Sequence, residues 1–156
     1  MARTRIIIVD NSLFMRIMLS HVLERLEFEI AATAKDGREA LDKYFELKPD
    51  IMLIDLVVAD LDDFAVVRAI LNQDPSAIIN LMIPERLDEP GVIVDAVRAG
   101  VKGHIREPIS PDELEALLGK PLRKISKGCI CNPARHGQIK HWEFTHADTA
   151  AVHAFL

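Results

Sequence analysis

Two carboxylates stand at the ends of apolar runs: Asp10 closes Ile6-Ile7-Ile8-Val9, and Asp55 closes Ile51-Met52-Leu53-Ile54. Short, unbroken apolar runs of this kind are the pattern of strands buried on both faces. In an open parallel sheet, ligands sit outside the carboxyl ends of the strands, so the two acids would meet at one edge as a small acidic pocket. Clustered carboxylate oxygens suit a hard divalent cation such as Mg²⁺ or Mn²⁺. Without a cation, crowded acids raise at least one pKa by mutual repulsion. The residues around the pair therefore decide the chemistry.

The elements that must position them alternate regularly along the chain. Arg5 to Asp10 reads as a strand, and Ser12 to Leu26 follows with Leu13, Ile17, Met18, Val22 and Leu26 at helical spacing. Asn11 or Ser12 is its natural cap. Phe28 to Thr33 is a second strand, Asp36-Gly37 a turn, and Arg38 to Leu47 a helix closed by Lys48-Pro49. Ile51 to Asp55 is the third strand, Phe64 to Leu71 a helix ended by Asp74-Pro75, and Ala77 to Ile83 the fourth strand. Pro84 to Pro90 forms a polar loop. Val92 to Ala99 is a helix stopped by Gly100, and Lys102 to Arg106 is a weaker fifth strand. Ser110-Pro111-Asp112-Glu113 opens a fifth helix with a hydroxyl cap, Pro at the first position and acids in the first turn. Five strands alternating with helices predict an α/β fold with a parallel sheet covered on both faces.

The chain has 156 residues, 49% of them hydrophobic, which supplies a packed core and excludes a disordered chain. No apolar stretch approaches the roughly 20 residues that cross a bilayer, and the apolar run before Asp10 is too short for a signal segment. Cys129 and Cys131 form no disulfide framework, and a cytoplasmic location is expected. A net charge of -5 argues against a general nucleic-acid surface. The alternating rhythm stops after Gly119-Lys120-Pro121. It divides the chain into a domain over 1–119 and an extension over 120–156, with a short helix expected near Ala147 to Phe155.

Taken in order, several strings resemble the receiver domain of two-component response regulators. They are Val9-Asp10-Asn11-Ser12 with Phe14-Met15-Arg16, Ala34-Lys35-Asp36-Gly37 with Glu39-Ala40-Leu41, Lys48-Pro49-Asp50, and Leu53-Ile54-Asp55. The likeness continues through Arg98-Ala99-Gly100-Val101-Lys102-Gly103, Pro108 and Ser110-Pro111-Asp112-Glu113-Leu114. The resemblance implies a flavodoxin-like, doubly wound sheet of five parallel strands in the order 2-1-3-4-5. It also implies phosphoryl transfer from a histidine kinase or phosphotransfer protein to Asp55. Mg²⁺ would be held by Asp10, Asp55 and the backbone carbonyl of Val57. In the family a second acid follows the first, a hydroxyl follows the fourth strand, and a lysine follows the fifth.

This sequence departs from that set at three places. Asn11 replaces the second acid, Ile83 stands at the hydroxyl position, and Glu107 replaces the lysine before Pro108. The pocket then carries Asp10, Asp55 and Glu107, a formal -3, with neither lysine nor hydroxyl for a phosphoryl group. Charge-assisted contacts contribute roughly 1.5–3 kcal/mol each, so the losses weigh against stable phosphorylation. Two roles for Glu107 stay open: a solvent-facing side chain, or a replacement oxygen ligand restoring the three acids that Asn11 broke. The loop after Ile83 is about two residues longer than the family pattern. Arg106 is expected to point away from Glu107 by strand alternation.

His104 takes the place of the family's switching aromatic, and is either such a switch or a half-exposed strand histidine. Cys129 and Cys131 with His136, His141 and His146 match no standard zinc spacing, and Asp60, Asp62 and Asp63 read as a solvated acidic loop. Lys120, Arg123, Lys124 and Lys127 read as an exposed basic linker. Three functions follow. The first is a stand-alone receiver, not a conventional enzyme, that signals through the face of the fourth helix, fifth strand and fifth helix to a protein target, with homodimerisation open. The second is a pseudo-receiver that acts by phosphorylation-independent contacts. The third is a small α/β phosphohydrolase using Asp55 as nucleophile. Val57 weighs against the last, because such enzymes resemble a pattern with a second Asp at that position.

Overall fold

The computed structural model describes residues 3–59 and 64–119. Five strands, β1 (Arg5–Val9), β2 (Glu29–Ala34), β3 (Ile51–Asp55), β4 (Ile79–Ile83) and β5 (Gly103–Arg106), form one parallel sheet in the order β2-β1-β3-β4-β5. Five helices connect them: α1 (Leu13–Arg25), α2 (Gly37–Leu47), α3 (Ala65–Gln73), α4 (Pro90–Ala99) and α5 (Pro111–Leu118). The predicted flavodoxin-like architecture is the observed one, with boundaries moved by one or two residues at most ends.

Strand pleating splits the core into two layers. Ile7, Val9, Met52, Ile54, Ile79, Leu81 and Ile83 pack on the side of α2, α3 and α4. Ile6, Ile8, Leu53, Met82 and Ile105 pack on the other side with Leu19 and Leu23 of α1 and Leu114 and Leu118 of α5. Every residue of β3 and β4 is buried, as the unbroken apolar runs require.

The helix ends follow local chemistry. Ser12 and Asp36 cap α1 and α2 through side-chain oxygens that accept from Met15 N–H and Glu39 N–H. Ser110 and Glu113 form a reciprocal capping box at α5. Gly100 ends α4 at φ 103°, and a Cβ there would lie 2.5 Å from Leu71 Cδ1. Both the backbone angle and the space require glycine at that turn.

One sequence expectation is corrected. Helix α1 forms where the spacing placed it, but Leu13 and Ile17 do not face the core: they are 62% and 51% exposed, beside Phe14 at 74%. Leu19 and Leu23 are the buried pair instead. The helix is apolar on several sides, so spacing alone did not select its inner face. The predicted helix near Ala147 to Phe155, the Cys129/Cys131/His136/His141/His146 group, the basic stretch from Lys120 to Lys127 and the acidic cluster Asp60, Asp62 and Asp63 lie outside the described residues.

Candidate functional site

The parallel register brings the carboxyl ends of β1, β3 and β5 to one edge, and the pleat selects what points into the pocket there. Asp10, Asp55 and Glu107 each stand two residues beyond a residue of the α1/α5 layer, namely Ile8, Leu53 and Ile105. Shared parity sends all three carboxylates to the same side. One oxygen from each lies within 4.8 Å of the others. Glu107 is half-buried and stands with the other two acids in the pocket. Its N–H donates to the Ile83 carbonyl at 2.9 Å, which ties the end of β5 to the end of β4.

Asp10 and Asp55 are 3% and 4% exposed, while Glu107 is half-buried. Asp10 Oδ1 accepts from Ser12 N–H at 2.7 Å, and Asp55 Oδ2 accepts from Val57 N–H at 3.0 Å. These turn amides hold both carboxylates in place. Asp55 has its pKa pushed up to about 6, first by burial and next by the charge of Asp10, with Glu107 adding to the rise. Burial raises Asp10 and Glu107 as well, and the charge of Asp10 raises Glu107 further. The expected upward shift is present, but removal from water outweighs mutual repulsion in each case.

The positions singled out as departures are placed as follows. Asn11 is exposed. One expectation is corrected here: Ile83 is fully buried in the α2/α3/α4 layer, so its side chain points away from the three carboxylates, and the residue after β4 that shares their parity is Pro84, two beyond Met82. Val57 is 42% exposed in the turn after β3. His104 is half-buried in a crevice between α4 and β5, lined also by Ile83, Ile93, Ala96 and Val97. Burial lowers its pKa, Arg106 lowers it further, and Asp88 raises it. Arg106 points away from Glu107, as alternation predicted, and pairs with Asp88 at 2.7 Å.

Two cations near the pocket escaped the sequence reading. Arg16 reaches back from α1 and donates to the Asp10 backbone carbonyl at 2.6 Å. Its charge also lowers the Asp10 pKa. Arg86, in the short 3₁₀ turn Glu85–Leu87 after β4, acts electrostatically on Glu107. The signal for Arg16 was its position six residues after Asp10, within reach of a strand end that immediately precedes the helix. Arg86 had no signal, because the path of its loop sets its position.

The site thus holds a buried carboxylate at the end of the central strand, a second from β1 beside it and a third after β5. Residues 6–119 match the family model described as "Response regulator receiver domain". The chain belongs to the response regulator receiver family. It is 33% identical to the chemotaxis protein CheY of Thermotoga maritima over 74% of this chain and 95% of that one. It is 36% identical to CheY of Listeria monocytogenes, with 72% and 94% covered. Among solved structures it resembles chemotaxis protein CheY4 of Vibrio cholerae at a TM-score of 0.66 and 27% identity, covering 74% of this chain and 95% of that one. Receiver domains of this family work in two-component and chemotaxis signalling and are not conventional enzymes. No helix among the described residues is long and apolar enough to cross a membrane.

Proposed function

We propose that this receiver takes a phosphoryl group on Asp55 from a histidine kinase or phosphotransfer protein. The observation that carries the reading is the buried Asp55 carboxylate at the end of β3, aligned by the Val57 N–H and set against Asp10. An Asp55 oxygen attacks phosphorus and forms an acyl phosphate. The bond from phosphorus to the donor atom breaks, and its electron pair leaves with the donor. Ionised Asp55 is the competent nucleophile, and a pKa of about 6 leaves it mostly ionised at neutral pH.

Three oxygen donors within 4.8 Å, two of them buried and all with raised pKa values, fit a hard divalent cation such as Mg²⁺. When bound, the cation supplies charge neutralisation between carboxylates and phosphoryl oxygens. Asp10, Asp55 and the Val57 carbonyl would hold it, with Glu107 substituting for the acid that Asn11 lacks. Ser12 N–H and Arg16 keep Asp10 in position from the α1 side.

Exposed Leu13, Phe14 and Ile17 begin directly beyond Asp10 and offer a donor protein an apolar surface beside the pocket. The output signal would leave through α4, β5 and α5, where His104 sits at the position of the family's switching aromatic. A second reading, a pseudo-receiver acting through constitutive contacts in a cytoplasmic signalling complex, is favoured by one observation: acidic Glu107 stands in the pocket at the position of the family's lysine, and no Ser or Thr occurs between Ala77 and Gly91 to supply a hydroxyl after β4. Intact-mass spectrometry after incubation with acetyl phosphate and Mg²⁺ separates the two. One added phosphoryl mass, lacking in Asp55→Asn, supports phosphotransfer. No addition to a folded sample refutes it in favour of the pseudo-receiver.

A further inference from the structure

Asn80 stands inside the apolar packing of the sheet with its amide unmatched. It is fully buried in β4, and among the described residues neither its Nδ2 nor its Oδ1 has a hydrogen-bond partner. Alternation along β4 sets its side chain on the same side as Met82, in the α1/α5 layer. A buried amide left unpaired is disfavoured, whereas one open to water is satisfied. The closed packing therefore works against itself at this residue. What covers the amide is the last turn of α5. Asn80 is the ladder partner of Gly103 in β5. A Cβ on Gly103 would lie 2.9 Å from both Asn80 Oδ1 and Leu117 Cδ1, so the amide and the Leu117 side chain converge on the space that the glycine leaves open.

The two ends of α5 are held differently. Its first turn is tied by the Ser110/Glu113 capping box, whereas at its far end the Gly119 N–H donates to the Glu115 carbonyl at 2.9 Å, a bond within the helix itself. A helix of eight residues is marginal on its own backbone hydrogen bonds, so the last turn depends on the packing of Leu117 and Leu118 against the sheet. That packing is what shuts the Asn80 amide away from water. We propose that the C-terminal turn of α5, carrying Leu117 and Leu118, is a release catch. It opens from the sheet about the capped first turn, and Asn80 favours the opening because only the open form hydrates its amide. Helix α5 belongs to the face proposed to carry the output signal, so the catch lets part of that face change position independently of the chemistry at Asp55.

Native-state amide hydrogen exchange, followed by NMR on the full chain, reads this opening directly. In the unaltered protein the Leu117, Leu118 and Gly119 amides should exchange faster than those of Ile8 and Leu53 at the centre of the sheet. Asn80→Leu keeps the branching of the side chain and removes the amide. It should slow exchange of the three α5 amides by roughly tenfold, the effect of one buried amide no longer left unpaired. Asn80→Val, smaller than leucine and suited to a strand, should slow them likewise. Exchange of the α5 amides at the parent rate in both variants, as an amide already satisfied in the closed form would give, overturns the inference. So does exchange of these amides in the unaltered chain only at the rate of Ile8 and Leu53, because the turn then opens only with the whole domain. Loss of the fold in both variants overturns it as well, since the closed form then needs the amide.

Discussion

Replacing Asp55 with asparagine should stabilise the protein at neutral pH, and the structure sets the size of the gain. The folded state raises the Asp55 pKa from the ordinary 3.8 to about 6, chiefly by burial. An acid whose pKa rises on folding is held more tightly as the protonated form, so the folded chain binds more protons than the unfolded one between about pH 4 and 6. Stability therefore falls as pH rises through that window, and the full penalty persists above it. The rise from 3.8 to about 6 corresponds to about 3 kcal/mol. The substituted side chain carries no charge, and its amide oxygen can still accept from the Val57 N–H that Asp55 Oδ2 accepts at 3.0 Å. Urea unfolding followed by circular dichroism, with chelator present, should show Asp55→Asn more stable by about 2–3 kcal/mol at about pH 7.5. The gap should shrink toward zero near about pH 4. Comparing variant with parent cancels most of the titration of Asp10 and Glu107, which also have raised pKa values. A gap independent of pH, or a variant less stable than the parent at neutral pH, would refute the claim that the ionised Asp55 is held at a cost.

Other substitutions probe the same framework. Glu107→Lys combined with Pro84→Thr returns a cation and a hydroxyl to the pocket side of the sheet edge and should raise acetyl phosphate labelling of Asp55 roughly tenfold or more; unchanged labelling would count against the charge argument. Gly100→Ala combines a φ of 103° with a Cβ 2.5 Å from Leu71, so it should destabilise by at least about 1–2 kcal/mol in thermal unfolding, whereas Gly91→Ala, with no atom within 4 Å of the added Cβ, should be neutral or mildly stabilising. Ser110→Ala removes the capping box of α5 and should cost about 1 kcal/mol, measurable as a lower urea midpoint with unchanged slope.

Much of the fold was legible because every strand is bounded by a clear signal. The runs ending in Asp10 and Asp55 are buried almost in full, as continuous apolar character requires, and Gly100 and Ser110 mark helix ends by their own chemistry. The inner face of α1 was not legible. Leu13 and Ile17 satisfy helical spacing as well as Leu19 and Leu23 do, and only packing against β1 and α5 distinguishes the two sets. Of the pocket, Asp10 and Asp55 announced themselves by terminating strands. Glu107 could have been placed from parity with Ile105, but the weak fifth strand leaves its register open, and only the pairing of Gly103 with Asn80 fixes it. Arg16 and Arg86 depend on how a helix start and a loop return over the sheet edge, which local sequence does not encode. The same limit explains the pKa causes: charge crowding is countable in a sequence, whereas burial, the larger effect on Asp55, exists only in the packed structure.

The exchange of charge at position 107 has opposite consequences for the two ligands a receiver pocket takes. Relative to lysine, glutamate changes the local charge by two, and it does so within 4.8 Å of the other carboxylates. A cation gains from that change, because a third oxygen donor joins Asp10 and Asp55. An acyl phosphate on Asp55 loses by it, because the side chain that follows β5 now repels the phosphoryl oxygens. The two effects share one cause and are coupled in order: a metal that engages Glu107 removes the repulsion that would otherwise oppose the phosphoryl group. Metal dependence of phosphorylation should thus be steeper here than in a pocket that keeps its lysine, since the cation must offset Glu107 as well as Asp10.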